Sequence, residues 1–231
     1  MNIRLNSIIG LFTFFFMFFQ ISTSEAQLYK DTDSQKLNYW VDSVYNSLSI
    51  NEKIGQLIFV RANQSDQPYI EAVDKLIKDY NIGGVVFFRS DAKSQALKTN
   101  YWNSMAKTPL MVAIDAEWGL GMRLKNTIKY PLQMTLGAIS NDSLLYEMGL
   151  QIAWQCKRLG IHMNYAPVVD VNSNALNPVI GMRSFGEIPG LVAQKAYYYM
   201  KGMQDGGIIA CAKHFPGHGN TQTDSHYTLP V

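Results

Sequence analysis

Three of the chain's four histidines fall within fifteen positions, AKHFPGHGNTQTDSH (Ala212–His226), alongside Lys213 and Asp224. Residues of these types serve metal binding, phosphate cradling and acid–base catalysis, and their spacing narrows the choice. Asp224 and His226 sit two apart. In a turning loop, that spacing lets the carboxylate accept a hydrogen bond from one ring nitrogen and orient the imidazole, leaving the other nitrogen free as acid or base. His214, His218, Asp224 and His226 are acceptable metal ligands, but they match no helical H-E-x-x-H spacing and Lys213 among them repels a cation. Neither a metal nor another cofactor is expected. His218, flanked by glycines, reads on its own as a structural histidine bonded to its loop.

Two earlier stretches carry complementary groups. IDAEWGLGMRL (114–124) places Asp115 and Glu117 at the end of an apolar run, then a glycine-containing loop and Arg123. A carboxylate that accepts and a guanidinium that donates can together hold vicinal sugar hydroxyls; taken alone, the pair reads equally as a surface ion pair. NYAPVVDVNSNALNPVIGMRSFGEIPG (164–190) is a long polar insertion, and such loops are usually functional or disordered. Val179, Ile180 and Phe185 favour order. Arg183 within it suits an anionic or hydroxylated ligand, and Asp170 suits pinning of backbone amides.

These residues need a scaffold. KLNYWVDSVYNSL has apolar residues at helical spacing, and SINEKIGQL opens a second helix with Ser49 and Glu52 as a capping box. A rhythm of strand and helix then begins. LIFVR (57–61), GGVVFF (83–88), PLMVAID (109–115), HMNYAPVVDV and IIACAKHF read as strands. PYIEAVDKLIKDYN, DAKSQALKTNYWNSMA, DSLLYEMGLQIAWQCKRLG (142–160) and GLVAQKAYYYMKGMQDGG read as helices between them. Asp142 is the expected N-cap of its helix and Gly160 its terminator. Strands apolar on both faces and alternating with helices mean a parallel sheet covered by helices, in a doubly wound or a barrel arrangement. Polar residues follow strand ends at Arg61, Arg89, Asp115, Asp170 and Lys213-His214, a distribution that favours the (β/α) barrel. No G-x-G-x-x-G and no G-x-x-x-x-G-K-[ST] is present, which lowers the nucleotide-binding alternative.

Composition excludes further classes. The formal charge of +2 comes without basic clusters, so nucleic acid is not an expected partner. Arg4, the apolar run IIGLFTFFFMFF and the small residues Ser24 and Ala26 read as a signal peptide over residues 1–26. The run falls short of the roughly 20 residues of a membrane span. Export to a periplasmic or extracellular location is expected, with no stable membrane span after cleavage and a globular domain over 27–231. Cys156 and Cys211 lie in apolar surroundings and read as buried thiols. Oligomeric state has no signature in the sequence.

DAEWGLGMR, YAPVVDVNSNALNPVIGMRSFGE and KHFPGHGNTQTDSH, in that order, resemble the N-terminal catalytic barrel of family 3 glycoside hydrolases. The D-x-H loop, Asp224-Ser225-His226, marks the β-N-acetylglucosaminidase (β-hexosaminidase) branch. The resemblance implies an α/β fold of the (β/α)8 TIM-barrel type and retaining release of terminal β-linked N-acetylglucosamine from peptidoglycan fragments or related amino-sugar glycans. It implies His226 as general acid/base with Asp224 as its partner, and Asp115, Arg123, Arg183, Lys213 and His214 as the residues that bind the sugar ring. Asp170 takes a supporting role. Ala116, Trp118 and Leu120 depart from the family's Gln, Gly and Arg, and Asn220 stands where Asp is common. The family's nucleophile, an Asp on a later strand, has no counterpart before Val231. The chain is therefore expected to be a barrel truncated at its C-terminal end after five or six strand–helix units; the alternative is a catalytically inactive remnant that binds sugar weakly.

Overall fold

The structure, a computed structural model, describes residues 34–62 and 67–229; the signal peptide read at residues 1–26 lies outside them. Helices α1 (Ser34–Ser47) and α2 (Ile50–Gly55) come first. The Ser49 hydroxyl accepts from the Glu52 amide at 3.3 Å and Glu52 Oε2 accepts from the Ser49 amide at 2.7 Å, so the capping box forms as read. Then follow β1 (Phe59–Ala62), α3 (Gln67–Tyr80), β2 (Gly84–Phe87), β3 (Ser90–Asp91), α4 (Ala92–Met105) and β4 (Met111–Ile114). The remainder comprises β5 (Leu124–Lys125), α5 (Gln133–Gly137), α6 (Ser143–Arg158), β6 (Met163–Asn164), α7 (Pro189–Asp205) and β7 (Ile209–Ala210).

Five strands form one sheet in the order β1-β2-β4-β6-β7, every pair parallel, while β3 and β5 pair separately. The order follows the chain without reversal. With right-handed crossovers, an unreversed order places every helix on one face of the sheet, and it contains no topological switch point of the doubly wound kind. The C-terminal ends of the strands consequently line up along one rim. Among the described residues the sheet is open, with β1 and β7 at its edges.

β2 is buried along its whole length, as expected of a strand covered on both faces. Phe87 at its end packs against Trp102 of α4, and Trp102, fully buried, donates its indole N–H to Asp74 of α3 at 2.9 Å. α6 and α7 approach backbone to backbone: a Cβ on Gly202 would stand 2.1 Å from the Tyr146 carbonyl oxygen, so only glycine fits there.

Several local expectations need correction. The strand read from Leu57 starts at Phe59, because the Leu57 and Ile58 amides are spent closing the turn after α2. Asp142 does not cap α6; its carboxylate is taken by Lys195 and Gln194, and the Asn141 side chain accepts from the Ser143 amide at 3.1 Å instead. Cys156 and Cys211 are both free thiols, but only Cys156 is buried. Cys211 is part-exposed because it follows β7, which has no neighbour on its outer edge among the described strands. No described helix is long and apolar enough to cross a membrane.

Candidate active site

The Ala116 backbone, just past β4, is clamped by Asn164 of β6. The buried Asn164 amide accepts from Ala116 N at 2.9 Å and donates to Ala116 O at 3.1 Å. With Ala116 turned into the core, the residues on either side, Asp115 and Glu117, join one cluster at the rim. Arg123 donates through Nε to the Asp115 carbonyl at 2.6 Å and through Nη2 to the Asp115 carboxylate. Lys213, just past β7, reaches Asp115 Oδ1 and Glu117 Oε1, each at 2.7 Å.

Arg183 arrives from the long loop after β6. It grips Glu117 with two parallel bonds, 2.9 Å from Nε and 2.6 Å from Nη2, and anchors its own loop by donating to Val179 O at 3.1 Å. Its Nη2 lies 3.4 Å from His214 Nε2. A guanidinium only donates, so that contact calls for an unprotonated His214 Nε2, with Nδ1–H donating to Asp170 Oδ2 at 2.6 Å. Arg123, Asp115, Lys213, Glu117, Arg183, His214 and Asp170 thus form one unbroken chain of contacts. Three fixed cations (Arg123, Lys213, Arg183) face three carboxylates (Asp115, Glu117, Asp170), so with His214 neutral the cluster carries no net charge. It suits a neutral ligand rich in hydroxyl and amide groups.

Burial raises the Glu117 carboxyl, but the hydrogen bonds and charges of Arg183 and Lys213 outweigh it and hold the group below the usual carboxylate range. Asp170 behaves likewise: burial raises it, and hydrogen bonds from His214 and the His218 amide bring it below its ordinary value. Asp170 pins two amides, His214 N at 3.1 Å and His218 N at 2.6 Å, as its position suggested.

The two site loops are laced together. Asn177 donates to His218 O at 2.6 Å and Thr221 O at 3.0 Å, while its side-chain oxygen accepts from the Val179 and Ile180 amides. A Cβ on Gly219 would meet the Val171 carbonyl oxygen at 1.7 Å, so the loops touch main chain to main chain. His218 is buried and bonds Thr221 Oγ1 through Nδ1 at 2.5 Å, in keeping with a structural histidine.

Asp224 and His226 pair as their spacing predicts: Asp224 Oδ1 lies 2.6 Å from His226 Nδ1 and accepts from the His226 amide at 2.9 Å. Those two bonds, the backbone one foremost, lower the Asp224 carboxyl. The imidazole is 79% exposed, and among the described residues no hydrogen bond engages its Nε2. The structure therefore brings Asp115, Arg123, Arg183, Lys213 and His214 together and forms the Asp224–His226 pair; among the described residues no hydrogen bond or ion pair joins the two groups. Among these residues, no group of three His, Cys, Asp or Glu side chains could hold a metal ion. Glu117, noted in the sequence but given no site role, is fully buried at the centre of the cluster; its place two residues beyond Asp115 at a strand end was the available signal. Asn164 and Asn177 carried no such signal.

A parallel α/β scaffold thus presents interleaved carboxylates and cations at its strand ends, followed by a loop that carries a carboxylate-oriented histidine. The glycosyl hydrolase family 3 N-terminal domain matches residues 49–231, and the chain belongs to that family. β-Hexosaminidase A of Pseudoalteromonas piscicida is 35% identical over 171 residues, 68% of this chain and 29% of that protein. A β-hexosaminidase of Thiobacillus denitrificans is 35% identical over 166 residues, 67% of this chain and 46% of that one. A solved glycoside hydrolase family 3 β-N-acetylglucosaminidase from Paenibacillus sp. FPU-7 superposes with a TM-score of 0.72 at 38% identity, covering 79% of this chain and 36% of that one. These relatives place the chain in the β-N-acetylglucosaminidase branch. It spans less than half the length of each of them.

Proposed function

We propose that this chain forms the sugar-holding and proton-transferring part of an exported retaining glycoside hydrolase that releases terminal β-linked N-acetylglucosamine from peptidoglycan fragments or related amino-sugar glycans. The observation that carries the reading is the charge-balanced chain of contacts from Arg123 to Asp170. Its uncommitted donors and acceptors suit ring hydroxyls and an acetamide, and its relatives are β-hexosaminidases.

In this reading His226 protonates the glycosidic oxygen through Nε2 as a carboxylate attacks the anomeric carbon and the bond to the leaving group breaks. The same nitrogen, now unprotonated, then takes a proton from the water that releases the sugar. Asp224 holds the ring by Nδ1 and favours the charged imidazolium that begins the first step and is regenerated by the second. This reading assigns the nucleophile, and the strands that complete a (β/α)8 barrel, to polypeptide outside residues 49–231. Among the described residues β1 and β7 have no outer neighbour, which supports this reading, as do the exposed apolar side chains of Trp40, Ile54 and Leu57 in the segment leading to β1.

A second reading, a sugar-binding chain without turnover, is favoured by one observation: no described hydrogen bond or ion pair joins the dyad to the cluster. Calorimetric titration with N-acetylglucosamine and with glucose tests what the two readings share. N-acetylglucosamine is expected to bind and Asp115→Asn to weaken it at least tenfold; equal affinity for both sugars, or indifference to Asp115→Asn, overturns the sugar site.

A further inference from the structure

Phe87 is the last residue of β2 and Phe88 follows it in the bend that leaves the strand. Phe87 enters the core against Trp102, and Phe88 stays half-buried at the rim. Two guanidinium groups lie over the Phe88 ring, Arg123 at 5.0 Å and Arg61 at 5.4 Å from its centroid, both within cation–π range. Arg123 belongs to the sugar cluster; Arg61 comes from β1, the neighbouring strand.

Arg123 has five N–H donors. Two are spent on Asp115, one to its carbonyl and one to its carboxylate, and three remain on a side chain that is 22% exposed. A planar group held along one edge can still pivot about that edge. A ring against its face removes that freedom, and the like charge of Arg61 over the same ring biases Arg123 back toward the Asp115 carboxylate.

We propose that Phe88 is a positioning residue of the sugar site: by stacking on Arg123 it fixes the plane in which the three remaining N–H groups meet the sugar. The proposal rests on Asp115 and Arg123 holding sugar, as in the function proposed above. No contact between Phe88 and the sugar itself is required.

The experiment follows the Arg123 guanidinium by NMR, its signal assigned with Arg123→Lys, and measures N-acetylglucosamine affinity in parallel. In the unaltered protein the Arg123 side-chain protons are expected to show an upfield ring-current shift. Phe88→Leu, which keeps an apolar side chain and loses the ring, is expected to abolish that shift, raise guanidinium mobility and weaken N-acetylglucosamine about three- to tenfold. Phe88→Trp is expected to restore all three. An unshifted Arg123 in the unaltered protein overturns the proposal without any variant, and so does unchanged mobility and affinity in Phe88→Leu. If the unaltered protein fails to bind N-acetylglucosamine, or Asp115→Asn leaves its affinity unchanged, the sugar-site reading fails, while the guanidinium signal still decides whether Phe88 holds Arg123.

Discussion

Replacing Glu117 by Gln tests whether the cluster is held from its centre. Glu117 is wholly buried, accepts two bonds from Arg183 and lies 2.7 Å from Lys213. Glutamine preserves the shape and removes the charge, leaving two cations facing a neutral amide. Loss of one partner from a buried pair typically costs about 3–5 kcal/mol. Lys213 keeps Asp115 and Arg183 keeps the Val179 carbonyl, so the lower end, about 3 kcal/mol, applies here. For a domain of this size that lowers Tm by roughly 6–12 °C, measured by scanning calorimetry at neutral pH. The Glu117 carboxyl is depressed below 4.5, so its contribution is fully present above that value and fades as pH falls through the lower folded one. The gap between the two proteins should therefore narrow in acid. Glu117→Met combined with Arg183→Met, which removes the charge and one of its partners together, is expected to be less destabilised than Glu117→Gln. A Tm within a degree of the unaltered protein, or a gap that widens in acid, refutes the reasoning.

Acid should act on the whole cluster, because Asp170 as well as Glu117 is depressed: Tm is expected to hold from neutral pH to about 5 and fall steeply below about 4, and an unchanged Tm at pH 3 contradicts this. Burial pushes the Cys156 thiol up to about 12, while Cys211 is part-exposed, so a disulfide reagent at pH 8 should label one thiol quickly in the native protein and two in denaturant. Two fast thiols would show that the α6 face is not packed as described. Export predicts that N-terminal sequencing of secreted or periplasmic protein begins at or near Gln27; a protein beginning at Met1 and held in membrane contradicts cleavage.

Features set by neighbours in sequence were legible there. The Ser49/Glu52 capping box lies within one turn, the Asp224–His226 pair needs only a two-residue spacing, and Lys213-His214 follows an apolar run that had to be a strand. What escaped depends on residues far apart in the chain. Glu117 acquires its place from Arg183, 66 positions on, and Ala116 is clamped by Asn164, 48 positions on. Asp142 had the right type and position for a cap, yet Lys195 and Gln194, brought alongside by the packing of α7 on α6, offered its carboxylate stronger partners. The start of β1 was misread because turn hydrogen bonds claim the Leu57 and Ile58 amides, which look extended in sequence.

The most direct test of the account follows aryl N-acetyl-β-glucosaminides of graded leaving-group acidity, hydrolysed by the polypeptide extended through the segment its relatives carry beyond the matched region. The account predicts turnover, lost only mildly in His226→Ala for leaving groups that need little protonation and by roughly 10²–10⁴-fold for those that need it. An equal loss across all leaving groups, or full activity without His226, would contradict the assignment of proton transfer to the Asp224–His226 pair.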